Sequence, residues 1–132
     1  MESKKILIIE DDVNFRQLLV KTFGGGGGYE VYEASDGQSG LALAKQGGFA
    51  VILTDLKMPN MDGLTLIREL VASQPQVPNG PIVVLSSMVE DYVREEASRI
   101  GAKAFFNKHT MEPAELVENV GKIIEDNPLE KK

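Results

Sequence analysis

The chain has 132 residues, 42% of them hydrophobic, which is enough for one domain with a core of normal size. Its formal net charge of -6 argues against a general nucleic-acid surface, which needs clustered lysine and arginine, and the absence of cysteine rules out a disulfide framework or a thiolate metal site. No apolar run approaches the roughly 20 residues of a membrane span, and Met1-Glu2-Ser3-Lys4-Lys5 lacks the apolar stretch of a signal peptide, so a cytoplasmic location without a membrane partner is expected.

Apolar runs of strand length alternate with segments of helical period. Ile6 to Ile9 is almost wholly apolar, as expected of a strand covered on both faces. Phe15, Leu18, Leu19, Thr22 and Phe23 then recur at helical spacing. Gly24 to Gly28 follow; because each glycine weakens a helix by roughly 1 kcal/mol, the helix is expected to stop near Phe23 and give way to a flexible link. That segment precedes a strand and has no Gly-Lys-Ser/Thr sequel, so it does not read as a phosphate loop. Tyr29 to Tyr32 is a short second strand, and Ser35-Asp36-Gly37 opens a second helix over Ser39 to Ala44. Phe49 to Thr54 is the third strand, and Leu64, Ile67, Leu70 and Val71 mark a third helix. Pro81 to Ser86 is the fourth strand, followed by a mostly polar helix from Tyr92 to Ile100 with Gly101 as its stop. Lys103 to Asn107 is the fifth strand, and Leu116, Val117, Val120, Ile123 and Ile124 give the last helix a continuous apolar face.

Five alternating β and α units imply an α/β fold, a parallel sheet with right-handed crossovers and helices on both faces. Ligands of such sheets bind beyond the carboxyl ends of the strands. The polar residues of interest all fall there. Glu10-Asp11-Asp12 closes the first strand, Asp55 the third, Ser86 the fourth and Lys108 the fifth. Carboxylates at two strand ends on one edge of the sheet would make a cation pocket, and with a hydroxyl and a lysine they complete the set needed to form and hold an acyl phosphate. Asp12 reads instead as an acid at a helix N-terminus, where the dipole favours it.

Asp55 lies 44 positions beyond Asp11, Ser86 31 beyond Asp55, and Lys108 22 beyond Ser86. With these spacings, the opening Ile6-Leu7-Ile8-Ile9-Glu10-Asp11-Asp12 and the stretch Asp55-Leu56-Lys57-Met58-Pro59-Asn60-Met61-Asp62-Gly63 make the chain resemble the receiver domain of two-component response regulators, chemotaxis receivers among them. The resemblance spans residues 4–125, leaving 126–132 as a charged tail. It implies a flavodoxin-like five-stranded sheet in the order 2-1-3-4-5. It also implies Asp55 as the phosphoacceptor and Mg²⁺ as the cofactor. The metal would be held by Asp11 and Asp55 directly, by Glu10 through water and by the Lys57 backbone carbonyl. Ser86 would be the switch hydroxyl, Lys108 the phosphate-pairing cation and Phe105 the switch aromatic. The implied partners are a histidine kinase or phosphotransfer protein, and an output partner meeting the fourth helix, fifth strand and fifth helix, with no direct contact to nucleic acid.

One residue departs from the family pattern, which has a cis proline after the lysine where this chain has His109. A cis bond before a non-proline residue costs roughly 2.5–4 kcal/mol, so a trans bond is expected, with the placement of Lys108 depending on the loop. The main reading is a signalling receiver and not an enzyme. The alternatives are a receiver-like scaffold independent of phosphorylation and an aspartate-nucleophile phosphatase, against which Lys57 counts, since those enzymes carry a second aspartate at that position. A flavin binder fits the fold, but strand-end carboxylates would repel its phosphate. With only Asn127 to Lys132 after Asp126, the chain reads as a stand-alone receiver or an excised one.

Overall fold

The computed structural model describes residues 4–87 and 90–127. In chain order it contains β1 (Lys5–Ile9), α1 (Val13–Lys21), a π-helical turn (Thr22–Gly26), β2 (Glu30–Ala34), α2 (Gly37–Ala44), β3 (Val51–Thr54), α3 (Gly63–Ser73), β4 (Ile82–Ser86), α4 (Asp91–Ile100), β5 (Ala102–Asn107) and α5 (Pro113–Asp126). The five strands are parallel, in the order β2-β1-β3-β4-β5. Both the alternation and the flavodoxin-like order are as the sequence and its resemblance imply. The tail at 128–132 lies outside the described residues, and α5 runs to Asp126, one residue beyond the expected domain end.

Two apolar layers sandwich the sheet. On one face, Leu7, Ile9, Ile52 and Val84 pack against Ala44, Leu66, Ile67, Leu70, Val93 and Ala97 from α2, α3 and α4. On the other, Ile6, Ile8, Leu53, Val83 and Leu85 pack against Leu19, Leu116, Val120 and Ile124 from α1 and α5. Every residue of β3 and β4 is buried, which accounts for their unbroken apolar runs. Leu18 and Val71, counted toward inward stripes by their spacing, are exposed instead. No helix among the described residues is long and apolar enough to cross a membrane.

The glycine run departs from expectation. The helical path does not stop near Phe23 but widens into a turn closed by Gly27 N–H donating to the Thr22 carbonyl at 3.0 Å, the i to i+5 spacing of a π turn. Phe23, fully buried against the α1 and α5 layer and edge-on to Tyr29 at 5.4 Å, anchors it. A Cβ at Gly27 would stand 2.7 Å from the Phe23 carbonyl oxygen, so the turn admits only glycine there. Burial of one aromatic outweighs the helix propensity of the residues after it.

Candidate functional site

β1 and β3 are adjacent, parallel and level, with Ile9 paired to Thr54. Glu10 and Asp55 are therefore the first residues beyond the paired ends, and the Asp55 N–H still donates to the Ile9 carbonyl at 3.2 Å. Both carboxylates are withdrawn from solvent, Glu10 at 2% exposure and Asp55 at 4%, while Asp11 is open. The three bring carboxylate oxygens to within 4.8 Å of one another. Hard, anionic oxygens with one side open to water suit a divalent cation.

Local devices hold these groups. Asp12 caps α1 by accepting from Phe15 N–H at 3.0 Å, confirming its reading as a helix-start acid. Arg16, which the sequence alone did not single out, donates to the Glu10 carbonyl at 2.8 Å and pairs with Glu33, fixing the acidic loop over β2. Asp55 Oδ1 accepts from the Leu56 N–H at 2.6 Å, and the Lys57 N–H lies 3.5 Å from the same oxygen. Asp62 caps α3 through Thr65 N–H. Gly63 follows because its Cα abuts the chain it serves: an added Cβ would lie 2.4 Å from the Asp55 carbonyl oxygen. The Met61-Asp62-Gly63 end of the motif thus seats α3 directly behind the Asp55 loop.

Lys108 reaches this cluster although His109 replaces proline. No cis peptide bond occurs among the described residues, so Lys108–His109 is trans, as expected. Its ammonium donates to Asp55 Oδ2 at 2.9 Å and to Glu10 Oε1 at 3.1 Å, and stands 4.9 Å from the Phe15 ring centroid. Burial pulls the Lys108 pKa down, but the bonds to Asp55 and Glu10 outweigh it and the net direction is upward. Glu10 behaves oppositely. Desolvation pushes its carboxyl from the ordinary 4.5 up to about 7; the Asp12 N–H bond opposes this, the Asp55 charge adds to it, and Lys108 only partly offsets the rise.

Ser86 ends β4 almost fully buried and its carbonyl accepts from the Lys108 N–H at 3.1 Å, whereas Ser87 is exposed. Phe105 is half-buried among the α4-side core residues with the Arg94 guanidinium 5.1 Å from its ring, and Phe106 packs on the opposite face. Lys57 and His109 are exposed. A broad cleft lies elsewhere, at the amino edge of the sheet, lined by Leu70, Val71, Pro78 and Pro81. It gathers no acidic cluster, so the convergence of charge and not the size of the hollow places the site.

Comparison with known proteins agrees with this geometry. Residues 6–121 match the family described as response regulator receiver domain. The transcriptional regulatory protein SrrA of Staphylococcus aureus is 34% identical over 115 residues, 87% of this chain and 45% of that protein, so the chain spans about half the length of the curated relatives it matches. Among solved structures, the signal receiver domain of the putative response regulator NarL from Mycobacterium tuberculosis superposes with a TM-score of 0.85 at 26% identity, covering 95% of this chain and 98% of that one. The receiver domain of the sensor histidine kinase PA1611 from Pseudomonas aeruginosa PAO1, solved with a magnesium ion coordinated in its active site cleft, gives 0.81 at 25% identity over 94% of this chain and 99% of that one. The chain belongs to the response regulator receiver domains of two-component signalling.

Proposed function

We propose that this receiver takes a phosphoryl group onto Asp55 from the phosphohistidine of a histidine kinase or phosphotransfer protein, in the cytoplasm, and changes partners as a result. The observation that carries the reading is the Lys108 ammonium bonded at once to Asp55 and Glu10, beside three carboxylates that converge within 4.8 Å. Glu10, Asp11, Asp55 and the Lys57 backbone carbonyl would hold Mg²⁺, the ion found in the PA1611 receiver. When bound, Mg²⁺ offsets the charge of the carboxylates and of the incoming phosphoryl oxygens.

In the transfer, an Asp55 carboxylate oxygen forms the new O–P bond while the N–P bond breaks and its electron pair returns to the imidazole. The protein's part is positioning and charge. The Leu56 N–H orients one Asp55 oxygen and Lys108 the other. Lys108 then serves the phosphoryl oxygens as a point charge, and the Ser86 hydroxyl bonds one of them. The signal leaves through α4, β5 and α5, with Phe105 reporting the movement of Ser86. The chemistry is confined to the protein's own aspartate, so it is a signalling receiver and not an enzyme. The exposed Lys57 occupies the place where an aspartate-nucleophile phosphatase needs an acid.

Incubation with acetyl phosphate or phosphoramidate in Mg²⁺ should add one phosphoryl mass, absent in Asp55→Asn and in EDTA. Equal labelling of Asp55→Asn would overturn the acceptor assignment. A wild-type protein that takes no label would be a scaffold independent of phosphorylation.

A further inference from the structure

Asn107 is a poor strand residue at the end of β5, yet it stands immediately before the lysine on which the site depends. Its backbone is fixed by pairing with Ser86 on β4. Its side-chain Oδ1 accepts from the His109 N–H at 2.8 Å. Its carbonyl accepts from the N–H groups of Thr110 at 3.3 Å and Met111 at 3.2 Å. Lys108 itself donates its N–H to the Ser86 carbonyl at 3.1 Å. The backbone on both sides of Lys108 is therefore pinned, and the chain turns helically straight out of the strand. A short side chain with an acceptor, two residues before the donor, is what closes such a turn. An apolar residue of the kind strands prefer would leave the His109 N–H without this partner.

We infer that Asn107 is a positioning residue: by accepting the His109 N–H through its side chain, it sets the trans turn that aims the Lys108 ammonium at Asp55. The inference rests on the reading of Asp55 as phosphoacceptor and Lys108 as its cation. Asn107 touches neither Asp55 nor the incoming group and acts only through the lysine. The sequence signal for it was an asparagine closing the apolar run Ala104-Phe105-Phe106, directly before Lys108.

The test is a double-mutant cycle on the full chain, reading the rate of Asp55 phosphorylation by phosphoramidate in saturating Mg²⁺, with urea unfolding run alongside. Asn107→Ala should slow labelling about fivefold, the scale of one hydrogen bond. Asn107→Asp keeps the acceptor and should restore the rate to within about twofold of wild type. In a Lys108→Ala background, Asn107→Ala should change the rate by less than about twofold, because the lysine it positions is gone. If Asn107→Ala does not fold, Asn107→Leu, nearly isosteric but without the acceptor, takes its place in the cycle. An unchanged rate in Asn107→Ala, or the same fivefold loss with and without Lys108, would overturn the inference while leaving Asp55 as acceptor intact. Failure of wild type to label, or labelling of Asp55→Asn, would instead remove the reading beneath it.

Discussion

Glu10 stores a pH-dependent destabilisation that one substitution should remove. Its carboxylate is 2% exposed and its pKa is pushed from 4.5 to about 7 in the metal-free fold. At low pH the group is protonated in both folded and unfolded chains and contributes nothing to the difference. As pH rises through 4.5, the unfolded chain releases its proton first while the folded chain retains it, so stability falls until the folded group ionises near 7, and then levels. At 1.36 kcal/mol per pH unit, that gap corresponds to about 3 kcal/mol at full ionisation, most of which should develop between pH 5 and pH 8. Glu10→Gln removes the titration and keeps a side-chain oxygen for the Asp12 N–H, which Glu10 Oε2 now accepts at 3.1 Å. Urea unfolding in EDTA at the two pH values is the assay. Relative to wild type, Glu10→Gln should gain on the order of 2 kcal/mol on going from pH 5 to pH 8. Mg²⁺ added at pH 8 should stabilise wild type more than the variant. Parallel stability curves for the two proteins in EDTA would mean that Glu10 is not desolvated at the cost its burial implies.

Two other outcomes separate neighbouring groups. Asp11→Asn should weaken Mg²⁺ binding, measured by titration, far more than Asp12→Asn, because Asp11 belongs to the carboxylate cluster whereas Asp12 is spent on capping α1; the reverse order would show the ligand register to be off by one. Beryllofluoride with Mg²⁺ should alter amide exchange around Ser86 and Phe105 as well as around Glu10 and Asp55, and changes confined to the latter pair would describe a site that binds without switching.

Much of this was legible because strand burial and helix capping are local properties. The apolar runs of β1, β3 and β4 are buried throughout, or nearly so, and each gives way to polar residues at its carboxyl end; hence Glu10, Asp55 and Ser86 could be placed on one edge without knowing the strand order. Asp12, Asp36 and Asp62 each cap the helix that follows them, through contacts spanning three residues. What was not legible depends on distant partners. The π turn exists because Phe23 is seated between α1, α5 and Tyr29, which no window around the glycines reveals. Leu18 and Val71 sit at the rims of their helical stripes, and whether a rim is covered is decided by the neighbouring element. Phe15 was visible only as one apolar position in a helix; its approach to Lys108 comes from bringing α1 beside the end of β5.

The same contacts suggest how the site and the output face are joined on the proposed reading. Lys108 is bound at its ammonium to Asp55 and at its N–H to the Ser86 carbonyl, so the ends of β3, β4 and β5 meet in one residue. Phe105 lies three residues back along β5, paired with Val84 of β4, packed against the α4-side core and faced by Arg94 of α4. A phosphoryl group on Asp55 changes what the ammonium and the Ser86 hydroxyl can bond, and both are tied to the strand that carries Phe105. A shift of this kind biases α4 only if its two arrangements differ in their affinity for the phosphoryl oxygens, since equal affinity moves no equilibrium. The difference must then lie in the reach of Ser86 and Lys108. Lys108 is tied through Ser86 to β4 and through Asn107 to the following turn, and the Arg94 guanidinium over the Phe105 ring is an α4 contact that such a shift would exchange.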